Sequence, residues 1–274
     1  SDGFTATYSG SNRTAYFNEV NKTYVAWQWK AGDTAVTNTS GTISSQVSAN
    51  PTAGFSIVTW TGNGSSSATV GHGLGAVPAM IICKERSGTD YWHVKHKSTA
   101  TNTNLYLNQT LASTSAASVG DGVLGDLSSS TTFGFATAGS PGNVVAVNEN
   151  GVTNVAYCWS EISGFSKFGT YTGNGSSDGP FIYCGFKPRW IMIKCSSAGT
   201  LSWVIYDTAR SPYNSSSENG LWANETSAEG TYATVDLLSN GVKIRETSAT
   251  VNGNGNTYIY AAFAENPQKF ATAR

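Results

Sequence analysis

Charged residues are scarce in this sequence. Only 12% of its 274 residues are Asp, Glu, Lys or Arg, and the formal net charge is −1. This share is about half of what globular proteins usually carry. The sequence therefore predicts no basic surface of the kind that holds a phosphate backbone, and we expect no nucleic acid partner.

Long apolar runs are absent as well. The sequence has no stretch of about 18 apolar residues, the length that a membrane-spanning helix needs. The N-terminus, Ser1-Asp2-Gly3-Phe4, lacks the basic start and the apolar segment of a signal peptide. We therefore expect no membrane insertion, and a soluble protein or a fragment of a larger one.

Histidine, the commonest metal ligand and general base, occurs only three times. His93 and His96 are three positions apart, so on a strand they point to opposite faces and cannot grip a metal ion from one side. His72 lies in a Gly-rich turn with no nucleophile-elbow sequence beside it. We expect the histidines to be solvated or structural. The acidic loop 121–126 lacks the ligand spacing of calcium loops, so we predict no metal and no cofactor.

The residues that are abundant favour β-structure. The sequence has 30 Gly, 13 Tyr, 11 Phe and 8 Trp, together with much Ser, Thr and Asn. Aromatic residues are enriched in strands, and Gly and Asn in the turns between them. No segment of about ten residues has a convincing helical pattern. The predicted fold class is therefore all-β.

The sequence contains an internal duplication. Residues 60–64 (Trp-Thr-Gly-Asn-Gly) return about 110 residues later as 171–175 (Tyr-Thr-Gly-Asn-Gly). A repeat of this length favours two modules, each long enough to bury its own core. The flanking blocks that return with it are 54–56 as 164–166, and 78–84 as 188–194.

We divide the chain into four parts. Residues 54–163 and 164–274 are predicted to be two tandem antiparallel β-sandwich modules, because short alternating strands are separated by Gly- and Asn-rich turns. Residues 31–53 are Ser/Thr-rich with almost no charge, which predicts a linker or an extended surface crossing. Residues 1–30 are predicted to be the closing hairpin of a preceding or permuted unit.

The prediction for residues 1–30 depends on a strand that occurs three times. Residues 24–30, 154–160 and 258–264 share an alternation of bulky apolar side chains, which is the period of a half-buried strand. Two interpretations remain open. Either the chain is cut from a longer protein, or its module is permuted and starts with this hairpin.

Cysteine usage does not indicate disulfides. The four cysteines are Cys83, Cys158, Cys184 and Cys195. The positions that match the first two in the second module hold Ile193 and Ala262. A disulfide framework would recur with the fold, so we predict four small buried hydrophobes.

The repeated Gly-Asn-Gly pieces can be interpreted as phosphate-binding loops or as turns. None of them leads into a helix or carries the Lys that a phosphate loop needs. Asn-Gly is also the strongest short hairpin signal. We therefore predict that 62–64 and 173–175 are hairpin turns that mark the repeat.

Some aromatic and acidic residues repeat with the fold. Trp92 and Trp203 stand at matched positions beside β-branched residues, which predicts that both lie in the core. Glu161 and Glu265 end equivalent strands, which predicts a structural role such as pairing with Lys or Arg.

The strongest candidate for a specific site is the segment 206–229, which differs from the first module. Segments that differ between duplicated modules are places where separate functions can be built. Aromatic rings stack on the apolar faces of sugars, while Arg and Asn bond the hydroxyls. The predicted glycan-binding patch consists of Arg210, Tyr213, Asn214 and Trp222. The alternative for these residues is packing or a subunit interface.

Taken in order, several blocks resemble a repeat module that is common in large virion proteins of tailed phages, above all marine ones. The resemblance covers nearly the whole chain and depends on the series of blocks. These blocks are 24–27, 54–56, 61–64, 71–75, 78–82, 164–169, 179–181, 203–207 and 258–265.

The resemblance implies a non-enzymatic phage structural or tail-fibre-like protein on the virion surface, in the tail or an appendage. It implies other virion subunits and host cell-surface polysaccharide as partners, and assembly into homotrimers. Two alternatives stay open. One is a tail-associated polysaccharide-degrading enzyme, which would need Asp207, Glu225 and Arg210 around one groove. The other is a purely architectural module.

Overall fold

The structure is a computed structural model, and it describes residues 3–4, 19–115, 122–136, 146–214, 218–231 and 235–266. The chain divides into two units, residues 1–30 and 31–274. In the first unit, residues 19–30 contain no strand. The strand predicted at 24–30 is therefore not formed, because a strand needs a paired neighbour and the described residues of this unit offer none.

The second unit begins with a module of two antiparallel sheets. Its strands are β1 (Val36–Asn38), β2 (Ser45–Asn50), β3 (Phe55–Thr61), β4 (Thr69–Gly71), β5 (Met80–Glu85), β6 (His93–His96), β7 (Thr103–Tyr106), β8 (Thr114–Ser115), β9 (Val123–Leu124), β10 (Thr132–Ala136) and β11 (Thr153–Trp159). The large sheet has the order β1-β2-β3-β11-β5-β6-β7-β8, and the small sheet has the order β4-β10-β9. We call this the first module.

The second module repeats this plan. Its elements are β12 (Ser166–Thr172), β13 (Phe181–Tyr183), β14 (Pro188–Cys195), β15 (Val204–Asp207), β16 (Asn219–Trp222), β17 (Gly230–Thr231), β18 (Val235–Leu238), β19 (Gly241–Ile244), the single helical turn α1 (Ala249–Asn252) and β20 (Thr257–Ala264). The large sheet has the order β12-β20-β14-β15-β16-β17, and the small sheet has the order β13-β19-β18. Apart from β1 and β2, each strand of the first module has a counterpart at the same place.

Alternating side chains explain how each sheet pair closes on a core. In β10, Phe133 and Phe135 are buried while the residues between and beside them are half-buried. Phe133 and Phe135 of the small sheet share one core cluster with Val58 and Ile81 of the large sheet. The second module has a separate cluster of the same kind. The predicted all-β sandwich fold is therefore confirmed.

The segment predicted to be a linker contains two strands. Within residues 31–53, β1 pairs with β2, and β2 pairs with β3 at the edge of the large sheet. Ile43 and Val47 are 8% and 2% exposed and belong to the core of the first module. Two aliphatic side chains and a free strand edge were enough to order a Ser/Thr-rich segment. We call residues 36–50 the strap.

The cysteines behave as predicted. All four are buried and free, and they lie in the two core clusters. Burial raises the pKa of Cys158 and of Cys184 to about 12, which leaves both thiols protonated and unreactive at neutral pH. Of the two duplicated tryptophans, Trp203 is 1% exposed as predicted. Trp92 is only half-buried, although it precedes β6 just as Trp203 precedes β15; Trp203 additionally contacts Tyr106 of the first module.

Several predictions fall partly outside the described residues, among them the hairpin at 1–30, of which only 3–4 and 19–30 are described. The sequence of residues 143–148 also predicts a strand; residues 143–145 lie outside the described part, and 146–148 form no strand. Asp121 of the acidic loop also lies outside the described residues. Among the described residues, no helix has the length and apolar character needed to cross a membrane.

The repeated Gly-Asn-Gly segments are crossings between sheets, so the predicted hairpin turns are wrong. The strands on either side of 62–64 are β3 and β4, which lie in different sheets, and β12 and β13 flank 173–175 in the same way. A hairpin requires its two strands to pair with each other. The Asn-Gly signal describes a local turn, whereas the sheet that the chain enters next depends on distant partners.

A buried asparagine closes each crossing. In the second module the side-chain oxygen of Asn252 accepts a hydrogen bond from Asn174 N at 2.8 Å. Its amide nitrogen donates to Asn174 Oδ1 at 3.0 Å, and to Ser176 O and Glu246 O at 2.7 Å each. The main-chain oxygen of Asn252 also accepts from Gly175 N at 2.9 Å. The buried side chain of Asn252 thus forms hydrogen bonds with several polar groups of the loop.

Asn148 has the same role in the first module. Its amide donates to Asn63 Oδ1 at 3.0 Å and to Ser65 O at 2.9 Å. The closeness of the crossing requires glycine at Gly62, because a Cβ there would lie 2.1 Å from the main-chain oxygen of Glu149. The repeated motif is therefore a structural loop that encloses an asparagine.

We predict that Asn252→Ala lowers the free energy of unfolding by about 3 kcal/mol, because it leaves several buried polar groups of the crossing without partners. Chemical denaturation measures this change. The control is Asn254→Ala in the neighbouring exposed turn, which should change the stability by less than about 0.5 kcal/mol. Equal effects of the two substitutions would contradict the role assigned to Asn252.

Candidate functional site

The segment 206–229 begins with a sharp turn at the end of β15. Asp207 is 2% exposed, and its Oδ1 accepts hydrogen bonds from the main-chain nitrogens of Ala209 and Arg210, both at 3.0 Å. An Asp side chain that accepts hydrogen bonds from main-chain nitrogens two and three residues later stabilises a turn of the chain. Asp207 is therefore a structural residue of the turn.

The guanidinium of Arg210 holds this segment together. Its Nε donates to Asp207 Oδ2 at 2.7 Å, and its side chain is 10% exposed. Nη1 donates to Glu229 Oε2 at 2.7 Å and to Asn219 O at 2.9 Å, and Nη2 donates to Ile205 O at 3.1 Å. The planar fork of arginine fits such a set of acceptors, which lysine cannot reproduce. Arg210 is therefore a largely buried residue that holds the segment in place through its hydrogen bonds.

The other three predicted ligand residues occupy different environments. Tyr213 is 83% exposed. The side chain of Asn214 accepts from Leu237 N at 2.8 Å and donates to Leu237 O at 3.4 Å, which fixes it to β18. Trp222 is half-buried and packs against the core cluster of the second module. Ligand binding by this set stays a prediction, with Tyr213 as its most accessible member.

The register of the sheets gives Trp222 a counterpart. Trp222 pairs with Val204 in the second module, and Tyr106 pairs with His93 in the first. Both aromatic residues stand at the same place of the repeated sheet. Such a position is typical of the scaffold, which agrees with packing as the role of Trp222.

Carboxylates of the segment are also engaged by neighbours. Glu225 accepts a short hydrogen bond from the Ser202 hydroxyl and another from Ser227 at 3.2 Å. Glu229 pairs with Arg210, as described above. Among the described residues, no group of three or more His, Cys, Asp or Glu side chains is arranged to hold a metal ion.

The duplicated glutamates form ion pairs, as predicted. Glu161 contacts Lys97 at 2.6 Å and Lys167 at 2.7 Å, and Glu265 contacts Lys187 at 2.9 Å. Burial alone would raise the pKa of Glu161, but the hydrogen bonds from Lys167 and Lys97 outweigh it and hold the pKa below its usual value. Because Lys97 belongs to the first module and Lys167 to the second, Glu161 ties the two together.

The contact between the modules was not foreseen from the sequence. Trp203 Nε1 donates to Tyr106 O at 2.8 Å, so the buried indole of one module satisfies a carbonyl of the other. The fully buried Lys194 donates to Thr110 O at 3.1 Å and to Leu201 O at 2.6 Å. Burial lowers the pKa of Lys194 to about 8. No local pattern reveals the bonds of Trp203 to Tyr106 and of Lys194 to Thr110, since each joins residues far apart in sequence.

The three histidines are buried, which confirms a structural role and excludes a solvated one. His96 lies at the contact between the modules, where its Nε2 is 3.2 Å from Tyr260 O and its Nδ1 accepts from Ser98 N at 3.1 Å. Nε2 must carry the proton, because a carbonyl can only accept. Burial lowers the pKa of His93 and of His96 to about 4.

Comparison with known proteins gives a family and little else. The model of a family described as a domain of unknown function (DUF7483) matches residues 1–267. The chain matches none of the curated proteins and none of the solved structures. The function therefore has to be argued from the residues themselves.

We predict that stability falls as the pH drops below about 6.5. A histidine whose pKa is lowered to about 4 on folding binds a proton more readily in the unfolded chain. The contribution of this histidine to stability is therefore complete above pH 6.5, its pKa in the unfolded chain, and is lost as the pH falls toward 4, its pKa in the folded protein. The loss is about 1.4 kcal/mol per pH unit for each such histidine.

Denaturation series between pH 7 and 5 measure this slope in the wild type and in His96→Gln. Gln can still donate to Tyr260 O but does not titrate. The slope of the unfolding free energy against pH should be smaller in the variant by about 1.4 kcal/mol per pH unit. A slope that is the same in both proteins would contradict the buried neutral state of His96.

We predict that Arg210→Ala lowers the free energy of unfolding by about 3 kcal/mol or more, because it leaves the buried carboxylate of Asp207 without its cation. The matched control is Arg245→Ala. Arg245 pairs with Asp236 at 2.7 Å, but its side chain is 47% exposed, so its loss should cost less than about 1 kcal/mol. Thermal denaturation compares the two; a small effect at Arg210 would show that the segment does not depend on it.

Proposed function

The chain belongs to the DUF7483 family of domains of unknown function, and from the resemblance of its sequence to repeat modules of phage virion proteins we propose that it is a non-enzymatic structural protein of a tailed-phage virion. In this proposal it lies at the virion surface, in the tail or an appendage, and presents a glycan-recognition surface to the host. Its partners are other virion subunits and host polysaccharide, and it assembles as a homotrimer.

Two features of the sequence support a virion role. The series of blocks described above resembles repeat modules of phage virion proteins, and it extends over nearly the whole chain. A duplicated sandwich with few charges is also well suited to an extended appendage, because each module buries its own core and can be added to a series.

The observation that carries the glycan proposal is the display of Tyr213. Its ring is 83% exposed, although both neighbouring anchors are fixed, Arg210 by its ion pairs and Asn214 by its bonds to Leu237. A tyrosine has only two side-chain torsions to fix, so it loses little conformational entropy on binding. Its apolar face suits the CH face of a sugar, and the sequence around it is rich in Ser and Asn, whose polar groups suit the hydroxyls.

A non-enzymatic role fits the state of three carboxylates of this segment, Asp207, Glu225 and Glu229. Hydrolysis of a glycosidic bond needs one carboxyl group that gives up a proton and a second that acts as base or nucleophile. Asp207 is committed to the turn and to Arg210, Glu229 to Arg210, and Glu225 to Ser202.

One observation favours the alternative of a polysaccharide-degrading enzyme. The pKa of Glu85 is raised, chiefly by burial and then by the nearby charge of Asp90. A carboxyl group that holds its proton longer than usual is what a general acid requires. Glu85 ends β5 in the first module, away from the segment proposed here, and it is the residue to substitute if hydrolysis is found.

We predict that the purified chain binds particular polysaccharides on a glycan array, and that Tyr213→Ala weakens this binding about tenfold through the loss of ring stacking. The matched control is Tyr183→Ala, which removes another exposed tyrosine, 62% accessible, from β13. The control should bind normally.

Three outcomes would count against the proposal. Binding that survives Tyr213→Ala would exclude this patch, and an array without any binding would leave the purely architectural role. Release of reducing ends from a bound polysaccharide, abolished in Glu85→Gln, would favour the enzyme.

A further inference from the structure

The strap closes two open edges of the first module at once. Its second half, β2, pairs with β3 at the edge of the large sheet. Its middle crosses to the small sheet, where Ile43 forms a parallel bridge with Val70 and donates from its main-chain nitrogen to Thr69 O at 3.0 Å. The Ser45 hydroxyl adds a bond to Gly71 O at 3.1 Å. One extended segment thus satisfies the main chain of both sheets.

The second module has no such segment of its own. In the first module the chain between residues 30 and 55 is long enough to form the strap, but only residues 160–165 connect β11 with β12. The counterparts of β3 and β4 are β12 and β13, which end their sheets. Within residues 31–266, as far as they are described, no segment pairs with the outer side of either strand.

The main chain of β13 is directed outward at two positions. In an antiparallel pair, residues alternate between bonding the partner strand and facing away from it. Pro180 O accepts from Ile244 N, and Cys184 N donates to Asn240 O, so these positions bond toward β19. The main-chain N–H and C=O groups of Phe181 and Tyr183 therefore point away from β19, toward the open edge of the sheet.

The side chains at these two positions are also exposed. Phe181 and Tyr183 are 44% and 62% accessible, whereas Ile182 between them is buried in the core. Their counterparts in the first module are Thr69 and Gly71, which the strap covers. The module without a strap thus carries large apolar side chains where the strap would lie.

The edge of β12 is open over its second half. Gly173 N bonds toward β20, so by the same alternation Thr170 and Thr172 direct their main-chain groups outward, and both residues are exposed. Nearer its start, Phe168 N donates to Glu161 Oε2 at 3.2 Å, and that carboxylate caps this part of the edge. Thr170 corresponds to Thr59, the β3 residue that pairs with Gln46 of the strap.

We propose that the open edges of β12 and β13 together form a docking site for an extended segment of a partner polypeptide, which binds as the strap binds the first module. From its N-terminal end, the segment first runs parallel to β13 and then antiparallel to β12. This is addition of a strand to an exposed sheet edge, in which main-chain hydrogen bonds supply affinity and a few side chains supply specificity.

The strap indicates the chemistry of that partner. Residues 36–50 carry no charged side chain and are rich in Ser and Thr. Their two core residues, Ile43 and Val47, are four positions apart, and a glycine at Gly41 is needed because a Cβ there would lie 2.4 Å from Thr69 O. The partner segment is therefore uncharged and extended, with two aliphatic residues at this spacing. This surface is distinct from the Tyr213 patch, and the inference does not depend on the proposed glycan function.

A synthetic peptide with the sequence of residues 38–50 tests the proposal on the full chain. Amide hydrogen exchange is followed with and without the peptide, and the reporters are the amides of Thr170 and Tyr183. At a peptide concentration ten times the dissociation constant, their exchange should slow about tenfold. The amides of Thr59 and Gly71, which the chain's own strap covers, should not change.

Two controls separate this from unspecific binding. A peptide carrying Ile43→Asp and Val47→Asp keeps the main chain but loses the aliphatic side chains, and it should give no protection. In the protein, Tyr183→Lys should weaken peptide binding about tenfold by placing a charge on the edge, whereas Tyr213→Lys should leave it unchanged.

The proposal is overturned by any of three results. The first is no protection at millimolar peptide, and the second is protection by the peptide with two aspartates. The third is protection of Thr170 and Tyr183 by a polysaccharide but not by the peptide, which would assign this surface to a sugar.

Discussion

Each module depends on one buried amide at the point where the chain crosses between its two sheets. Asn148 and Asn252 are 0% exposed, and burying an amide costs free energy unless its groups are bonded. Both find their partners in a loop far away in sequence, 85 residues for Asn148 and Asn63, and 78 residues for Asn252 and Asn174. The asparagine thus links the loop to the chain at the far end of the module, and both sides of the crossing share one set of hydrogen bonds.

This constraint explains which parts of the duplicated sequence could change. The Gly-Asn-Gly loop and its asparagine recur in both modules, and so does the order of the strands on either side of them. The strap and the segment 206–229 lie outside this requirement, and there the modules differ. One module has a covering segment and the other an exposed edge, although the frame beneath them is the same.

Much of the fold could be predicted because it is local. Period-two alternation predicted the strands at 154–160 and 258–264, and matching the two copies predicted the buried cysteines and the paired glutamates. The predictions were wrong where a partner distant in sequence determines the local structure. Residues 62–64 have the composition of a hairpin turn, yet Asn148 makes them a crossing, and residues 45–50 have the composition of a linker, yet β3 makes them a strand.

The candidate site follows the same rule. That the segment 206–229 differs between the copies is visible in the sequence, and so is the presence of Tyr213. The role of Arg210 is not visible, because its acceptors Ile205, Asn219 and Glu229 are brought to it only by the pairing of β15, β16 and β17. In the sequence, an arginine near an exposed aromatic residue looks the same whether it binds a ligand or is bonded inside the protein.

The scarcity of charge has a further consequence, because several of the cations are used inside. Arg210 donates to main-chain carbonyls of β15 and β16, whereas Lys194, which is 0% exposed, and Lys95, which is 2% exposed, donate to main-chain carbonyls of loops. A cation that reaches into a loop can satisfy two or three carbonyls that no strand pairs, so these residues do for the loops what the ladder does for the sheets. The surface is left poorer in charge than the composition alone implies. Recognition at such a surface has to depend on exposed rings, hydroxyls and open main chain, which are the groups found at Tyr213 and along β12 and β13.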